Sequence, residues 1–210
     1  MATDPAGVRR LAVVLARHSA AAAAPPGVDP AAFGSAALAD TYEVLADLVG
    51  VSSGVAGPPE VADLLWPGST ALPDLGPLAL AELVSGQWDE LVVVPGDVPD
   101  LPGLVLAKVF KVLHRTDLVV APERGGDGCV AVGIRLPAAD WVQGQDIDLD
   151  TDPYERLLAA APSRARCARA PDWHRLRAPA GLRRLDPGLE GWEETRALLA
   201  GAATTGLGAR

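Results

Sequence analysis

The chain has 210 residues, of which 49% are hydrophobic and 21% charged, and its formal net charge is −9. This is the composition of an ordinary globular protein and excludes a disordered chain. The negative charge argues against a nucleic-acid or acidic-membrane partner, because both are polyanions. Aromatic residues, at only 4%, argue against a stacking platform for single-stranded nucleic acid.

Positive charge is concentrated in one part of the chain, residues 164–184, called here the arginine segment. It holds seven of the 18 Lys and Arg residues, with Asp172 as its only acid. Two interpretations stay open: a solvated basic face, or a clamp for an anionic group such as phosphate, whose oxygens match the guanidinium fork.

The two cysteines, Cys129 and Cys167, have neither CxxC spacing nor a neighbouring histidine. Two reduced thiols are expected, although a single bridge is not excluded. The N-terminal residues lack the pattern of a signal peptide, and no stretch approaches the roughly 20 apolar residues of a membrane span. We therefore expect a cytoplasmic protein without a membrane span.

The first half of the chain alternates between predicted strands and helices. The apolar run 11–16 predicts a strand buried on both faces. A helix with Ser35 as its N-cap should follow and end at Gly50. A weaker strand over 51–57, a short helix after Pro58 and a helix over 77–85 come next.

The clearest predicted strand is ELVVV at 90–94, which leads into a sharp turn at Asp97. A helix over 104–113 should follow, with Asp100 as its cap and His114 at its end. Strands over 117–121 and 129–134 are joined too closely for a parallel crossover, so this pair should be antiparallel. Further helices are predicted over 153–161 and 189–199.

Together these elements predict an α/β fold with a mixed, mainly parallel sheet between helices and one antiparallel hairpin. Strands 90–94 and 118–121 are expected to be adjacent central strands, joined by one helix through a right-handed crossover. We expect one domain over residues 1–201 and a flexible tail over 202–210.

Asp97 is the leading candidate for chemistry, because ligands bind beyond the carboxyl ends of parallel strands. Its carboxylate suits a hard cation such as Mg²⁺; alternatively it closes the turn through backbone amides. In the first case it should lie in a cleft open to solvent. The turn 123–128 holds Asp127 and glycines that either admit a ligand or simply form a hairpin. No Walker, GxGxxG, HExxH or GxSxG motif occurs in a suitable context.

Residues 92–102 (VVVPGDVPDLP), 119–128 (VVAPERGGDG) and 132–134 (VGI) resemble the nucleotide-diphospho-sugar transferase superfamily, which has the glycosyltransferase-A fold. Within it the chain is most similar to the DUF2064 glycosyltransferase-like proteins. It is more distantly similar to phospholactate and molybdenum-cofactor guanylyltransferases. Asp74-Leu-Gly76 and Arg184-Leu-Asp186 also resemble segments of the superfamily.

The resemblance implies a transferase that uses a nucleotide sugar or nucleoside triphosphate together with Mg²⁺ or Mn²⁺. It places Asp97 as a catalytic, metal-binding acid and Asp186 as a second metal-binding acid. Asp127 would be catalytic on the acceptor side, and Gly128 would line the same side as a cofactor-binding residue.

The chain departs from the superfamily after its first strand, where a glycine-containing loop with Lys and Arg usually cradles the phosphates. Residues 16–27 read ARHSAAAAAPPG, so Arg17 is the only basic side chain of that kind. Nucleotide binding would then depend on Arg17 and on the arginine segment, including Arg184, and one of its arginines should lie beside Asp97. The alternative is a non-catalytic member that serves as a ligand-binding or partner protein. A homodimer is left open.

Overall fold

The computed structural model describes residues 7–207, with side chains through residue 202, and is built around one seven-stranded sheet. The strands are β1 (Arg10–Leu15), β2 (Ser52–Ala56), β3 (Thr70–Leu72), β4 (Glu90–Pro95), β5 (Leu118–Pro122), β6 (Cys129–Arg135) and β7 (Cys167–Arg169). Their order is β3-β2-β1-β4-β6-β5-β7. Only β6 among them runs antiparallel to its neighbours. The predicted mainly parallel sheet with one hairpin is confirmed.

Helices cover both faces of this sheet. They are α1 (Pro30–Ala46), α2 (Pro77–Val84), α3 (Gly103–Leu113), α4 (Asp140–Gln143), α5 (Tyr154–Ala160) and α6 (Glu193–Leu207). One apolar layer lies between the sheet and α1 and α3, and the other lies beneath α2, α4 and α5. α6 packs against α1. Within residues 7–207 no helix combines the length and hydrophobicity needed to cross a bilayer.

Two predicted helix caps are wrong. α1 begins after Asp29, whose Oδ2 accepts the N–H of Ala32 at 2.8 Å, with Pro30 as the first helical residue. Ser35 therefore lies inside the helix, because the Asp-Pro pair starts the helix six residues before it, nearly two turns earlier. α3 begins after Pro102 without a side-chain cap, since the carboxylate of Asp100 is engaged elsewhere.

The last helix also differs from its prediction. α6 begins at Glu193 and continues to Leu207, into the part of the chain predicted as a tail. The last three residues of that predicted tail, 208–210, lie outside the described part of the chain.

The expectation that β4 and β5 are adjacent is wrong, because β6 lies between them. Ile134 of β6 is in register with Leu91 of β4 on one side and with Leu118 of β5 on the other. The hairpin places β6 in the sheet centre, where its apolar side chains are buried on both faces. Gly133 allows α3 to pack closely, since a Cβ there would lie 2.9 Å from Val109 Cγ1.

Both cysteines are free and buried, as expected for reduced thiols. Burial raises the pKa of the Cys129 thiol to about 12 and that of Cys167 to about 11. Thiolate is therefore scarce at neutral pH, and neither residue fits a nucleophile.

Candidate functional site

The candidate site lies where the parallel strands β1 and β4 end side by side. The N–H of Gly96, just after β4, donates to the carbonyl of Leu15 at 3.2 Å. A Cβ at Gly96 would lie 2.8 Å from the carbonyl oxygen of His18, so the glycine permits close contact between the two loops. This contact brings Asp97 and His18 together at the carboxyl ends of the strands, the position where ligands bind in such sheets.

Asp97 is joined to Arg175 by a bidentate ion pair. Arg175 Nε lies 2.8 Å from Asp97 Oδ1, and the second contact, from NH2 to Oδ2, is 2.9 Å. The two side chains are 3% and 1% exposed. The expectation that Asp97 is open to solvent is therefore wrong, whereas the expected arginine beside it is present. Sequence reasoning did not show that residue 175 returns to this turn, where the N–H of Leu176 donates to the carbonyl of Asp97.

Further carboxylates extend this pair into a network. Arg175 NH1 lies 3.1 Å from Oδ1 of Asp150, and Arg177 NH2 lies at the same distance from that atom. Arg177 Nε is 3.3 Å from Glu123 Oε2. Two guanidinium groups thus face three carboxylates. Asp150, at 52%, is the most exposed member of the network, and Arg177 is 35% exposed.

His18 touches the same network. Its Nδ1 is 3.3 Å from Arg175 NH2 and 3.4 Å from Asp150 Oδ1. Burial, and then the charge of Arg175, lower the pKa of His18 below the ordinary value of 6.5, and the nearby carboxylates only partly offset them. The neutral ring can accept the Arg175 N–H at Nδ1. Burial acts to raise the pKa of Asp150, but the charges of His18, Arg175 and Arg177 together outweigh burial, so this pKa is lowered.

The depressed pKa of His18 makes stability depend on pH. The unfolded ring binds a proton more tightly than the folded one, so the contribution of His18 is fully present above about pH 6.5. It is lost as pH falls from there through the lower pKa of the folded protein. We expect the urea-derived free energy of unfolding to fall more between pH 8 and 5.5 in the wild type than in His18→Asn. An NMR titration of His18 at or above its ordinary pKa would contradict this expectation.

Asp100, one turn further on, is also fully engaged. Its Oδ1 accepts the indole N–H of Trp173 at 3.2 Å and lies 3.0 Å from His174 Nε2. Its Oδ2 accepts the backbone N–H of Asp186 at 3.1 Å. The rings of Trp173 and His174 stack with their centroids 5.0 Å apart. Asp100 therefore anchors the arginine segment to the end of β4.

The structure places the other two predicted site acids, Asp127 and Asp186, at the surface. Asp127 is exposed in the turn between β5 and β6. Asp186 is also exposed, and its Oδ1 accepts the N–H of Gly188 at 2.9 Å. Neither carboxylate is in the network around Asp97.

Of the three predicted nucleotide-binding residues, Arg17 lines the crevice and Arg184 and Gly128 do not. Arg17 lies at its edge and pairs with Asp74 at 2.8 Å. Arg184 NH1 donates to the carbonyl of Arg124 at 3.1 Å. Gly128 is buried, and a Cβ there would meet the guanidinium of Arg177 and the carbonyl of Leu149. Gly128 therefore makes room for the network and not for a ligand.

Sequence reasoning missed the segment that forms the opposite wall of the crevice, residues 146–150. Its acids Asp146, Asp148 and Asp150 are exposed, while the intervening Ile147 and Leu149 are buried. With Arg17, His18 and Gly76 they line a crevice of about 430 Å³. The strict acid–apolar alternation of DIDLD was the signal that could have identified this wall.

The described residues do not fit a resident divalent ion at the predicted position. Both carboxylate oxygens of Asp97 are bound to Arg175, and Asp186 is engaged in its own turn. No group of three or more His, Cys, Asp or Glu side chains in the described part of the chain is arranged to hold a metal.

No protein-family model matches the sequence, and no curated protein matches it significantly. Among solved structures, one assigned as a nucleotide-diphospho-sugar transferase from Desulfovibrio desulfuricans G20 is 16% identical, with a TM-score of 0.65 over 94% of this chain and 96% of that one. CMP:2-keto-3-deoxy-manno-octonic acid synthetase in complex with CTP is 12% identical, with a TM-score of 0.55 over 92% of this chain and 98% of that one.

The manganese complex of Rv0371c from Mycobacterium tuberculosis H37Rv is 15% identical, with a TM-score of 0.53 over 92% of this chain and 98% of that one. At such low identities these likenesses show that the chain shares the nucleotidyltransferase-like, glycosyltransferase-A type of fold.

Proposed function

We propose that the chain is a transferase of the nucleotide-diphospho-sugar type that binds a nucleoside triphosphate or nucleotide sugar in the crevice beyond β1 and β4. The observation that carries this proposal is the convergence of Arg17, His18 and the Asp97–Arg175 pair at that edge of the sheet. The shared fold supports the donor class, because the similar synthetase was solved with CTP.

The charges of the crevice suit a metal–nucleotide complex as the substrate. Arg17 offers a guanidinium to phosphate oxygens. The exposed carboxylates of Asp146, Asp148 and Asp150 form the facing wall. Mg²⁺ keeps waters and substrate phosphates among its ligands, so the ion would arrive with the nucleotide. The residues of the crevice then act mainly by positioning the donor and balancing its charge.

A panel of nucleoside triphosphates and nucleotide sugars, each with and without Mg²⁺, tests this proposal by thermal shift. A ligand at 100 times its Kd stabilises the native state by about 2.7 kcal/mol, which such a scan detects.

Arg17→Ala is expected to weaken binding of the best ligand by more than tenfold, because a charge-assisted bond of about 1.5–3 kcal/mol is lost. Arg164→Ala removes an exposed arginine remote from the crevice lining and should leave binding unchanged. Absence of binding across the panel would refute the proposal.

A second candidate function is a non-catalytic nucleotide-binding protein with the same fold. The burial of Asp97 beneath Arg175 favours it, since that acid is withheld from substrate. Release of pyrophosphate or nucleoside diphosphate from the ligands that bind distinguishes the two candidates: turnover supports the transferase, and tight binding without turnover supports the binding protein.

A further inference from the structure

The guanidinium of Arg175 has an unusual set of neighbours for a buried side chain. Around it lie both carboxylate oxygens of Asp97, at 2.8 and 2.9 Å, and Oδ1 of Asp150, at 3.1 Å. Two backbone carbonyls, that of Leu149 at 2.6 Å and that of Cys129 at 3.5 Å, also lie against it, and His18 Nδ1 is a nitrogen neighbour at 3.3 Å. The group is therefore surrounded by five oxygen atoms, three of them from carboxylates.

Such an oxygen shell is the ligand type that hard divalent cations select. The oxygens come from separate parts of the chain: the turn after β4, the start of β6, and the segment that follows α4. One guanidinium joins all three, through its Nε, NH1 and NH2 atoms. The Arg175 side chain is 1% exposed, and because it is part of the chain its positive charge cannot dissociate as a bound ion can.

The neighbouring arginine makes a useful contrast. Arg177 shares Asp150 with Arg175, but its other carboxylate partner is Glu123 and the side chain is 35% exposed. Arg177 has no contact with Asp97, so it belongs to the edge of the network. The central position is occupied by Arg175 alone among the described residues.

We infer that Arg175 is a built-in cation that takes the place of a divalent metal between Asp97 and Asp150. This inference rests on the proposed function only in naming the crevice. It assigns the positive charge beside Asp97 to a side chain, whereas a metal-dependent protein of this fold would hold an ion there. Phosphate binding in the crevice would then need no metal held by Asp97. Removing the guanidinium should uncover an oxygen-rich cation site.

The experiment titrates Mn²⁺ alone, without nucleotide, and counts bound ions by electron paramagnetic resonance. The wild type and Arg177→Ala are expected to bind no stoichiometric Mn²⁺. Arg175→Ala should gain one site, with at least tenfold higher affinity than any wild-type binding, and Arg175→Ala/Asp97→Asn should lose it again. Arg175→Lys, which keeps a cation in place, should behave as the wild type.

Because Arg175→Ala can fail to fold, its refolding from urea is compared with and without Mn²⁺. Recovery of native circular dichroism only with Mn²⁺ supports the inference, and failure in both conditions overturns it. Stoichiometric Mn²⁺ bound by the wild type and abolished in Asp97→Asn also overturns it. None of these outcomes depends on whether the protein binds a nucleotide, so the nucleotide panel can fail while this inference holds.

Discussion

Replacing Arg175 by methionine is expected to lower the free energy of unfolding by about 3–5 kcal/mol, the cost of leaving a buried charge without its partner. Asp97 is 3% exposed on its side chain and cannot recover water once the guanidinium is removed. Methionine fills similar space, so the loss reports charge and hydrogen bonds more than a cavity. Urea unfolding followed by circular dichroism measures it.

The matched control is Arg124→Met. Arg124 pairs with Asp172 at 2.9 Å, but these two side chains are 57% and 44% exposed. Exposed pairs contribute about 0–1 kcal/mol, so this change should cost less than about 1 kcal/mol. Equal losses in the two variants would show that the Asp97–Arg175 pair is solvated in solution.

Replacing Asp100 by alanine is the second large effect, an expected loss of about 3 kcal/mol. The change removes the acceptor of two part-buried donors, the indole N–H of Trp173 and the backbone N–H of Asp186, and the carboxylate partner of the buried His174 ring. A buried polar group left without a partner costs about 1–3 kcal/mol. Asp100→Asn keeps one acceptor oxygen and should recover part of the loss. Urea unfolding, with tryptophan fluorescence as the probe, provides the measurement.

Asp74→Ala is the control for this second change, since Asp74 pairs with Arg17 at the surface and is 49% exposed. It should cost less than about 1 kcal/mol. If Asp100→Ala is no more destabilising than Asp74→Ala, the arginine segment is not anchored through Asp100.

The strands of this fold could be predicted because buried parallel strands leave a direct mark in sequence. The runs at β4, β5 and β6 are continuously apolar, and the close connection between the last two dictated their antiparallel pairing. Their order in the sheet could not be predicted in the same way. The crossover rule concerns consecutive parallel strands, and nothing local indicates that a hairpin will insert β6 beside β4.

The contacts around Asp97 could not be predicted from the sequence. The position of Asp97 after a buried strand indicated the edge of the sheet at which we place the candidate site. Its exposure was predicted wrongly, because Arg175 lies 78 positions away in the chain and no local pattern connects the two. The charge excess of the arginine segment was visible in the composition, but which of its seven arginines turns inward depends on packing around Trp173 and Leu176.

The insertion of β6 between β4 and β5 has a consequence for how the chain is made. During synthesis β4 emerges early and pairs with β1 on one side, but its other edge has no partner until β6 has left the ribosome. Until then a continuously apolar strand carries a row of free backbone donors and acceptors, the arrangement that recruits other chains. Fragments that end between β5 and β6 should therefore aggregate. A chain divided into two pieces for complementation is better cut after Arg135, so that β4 and β6 stay on the same piece.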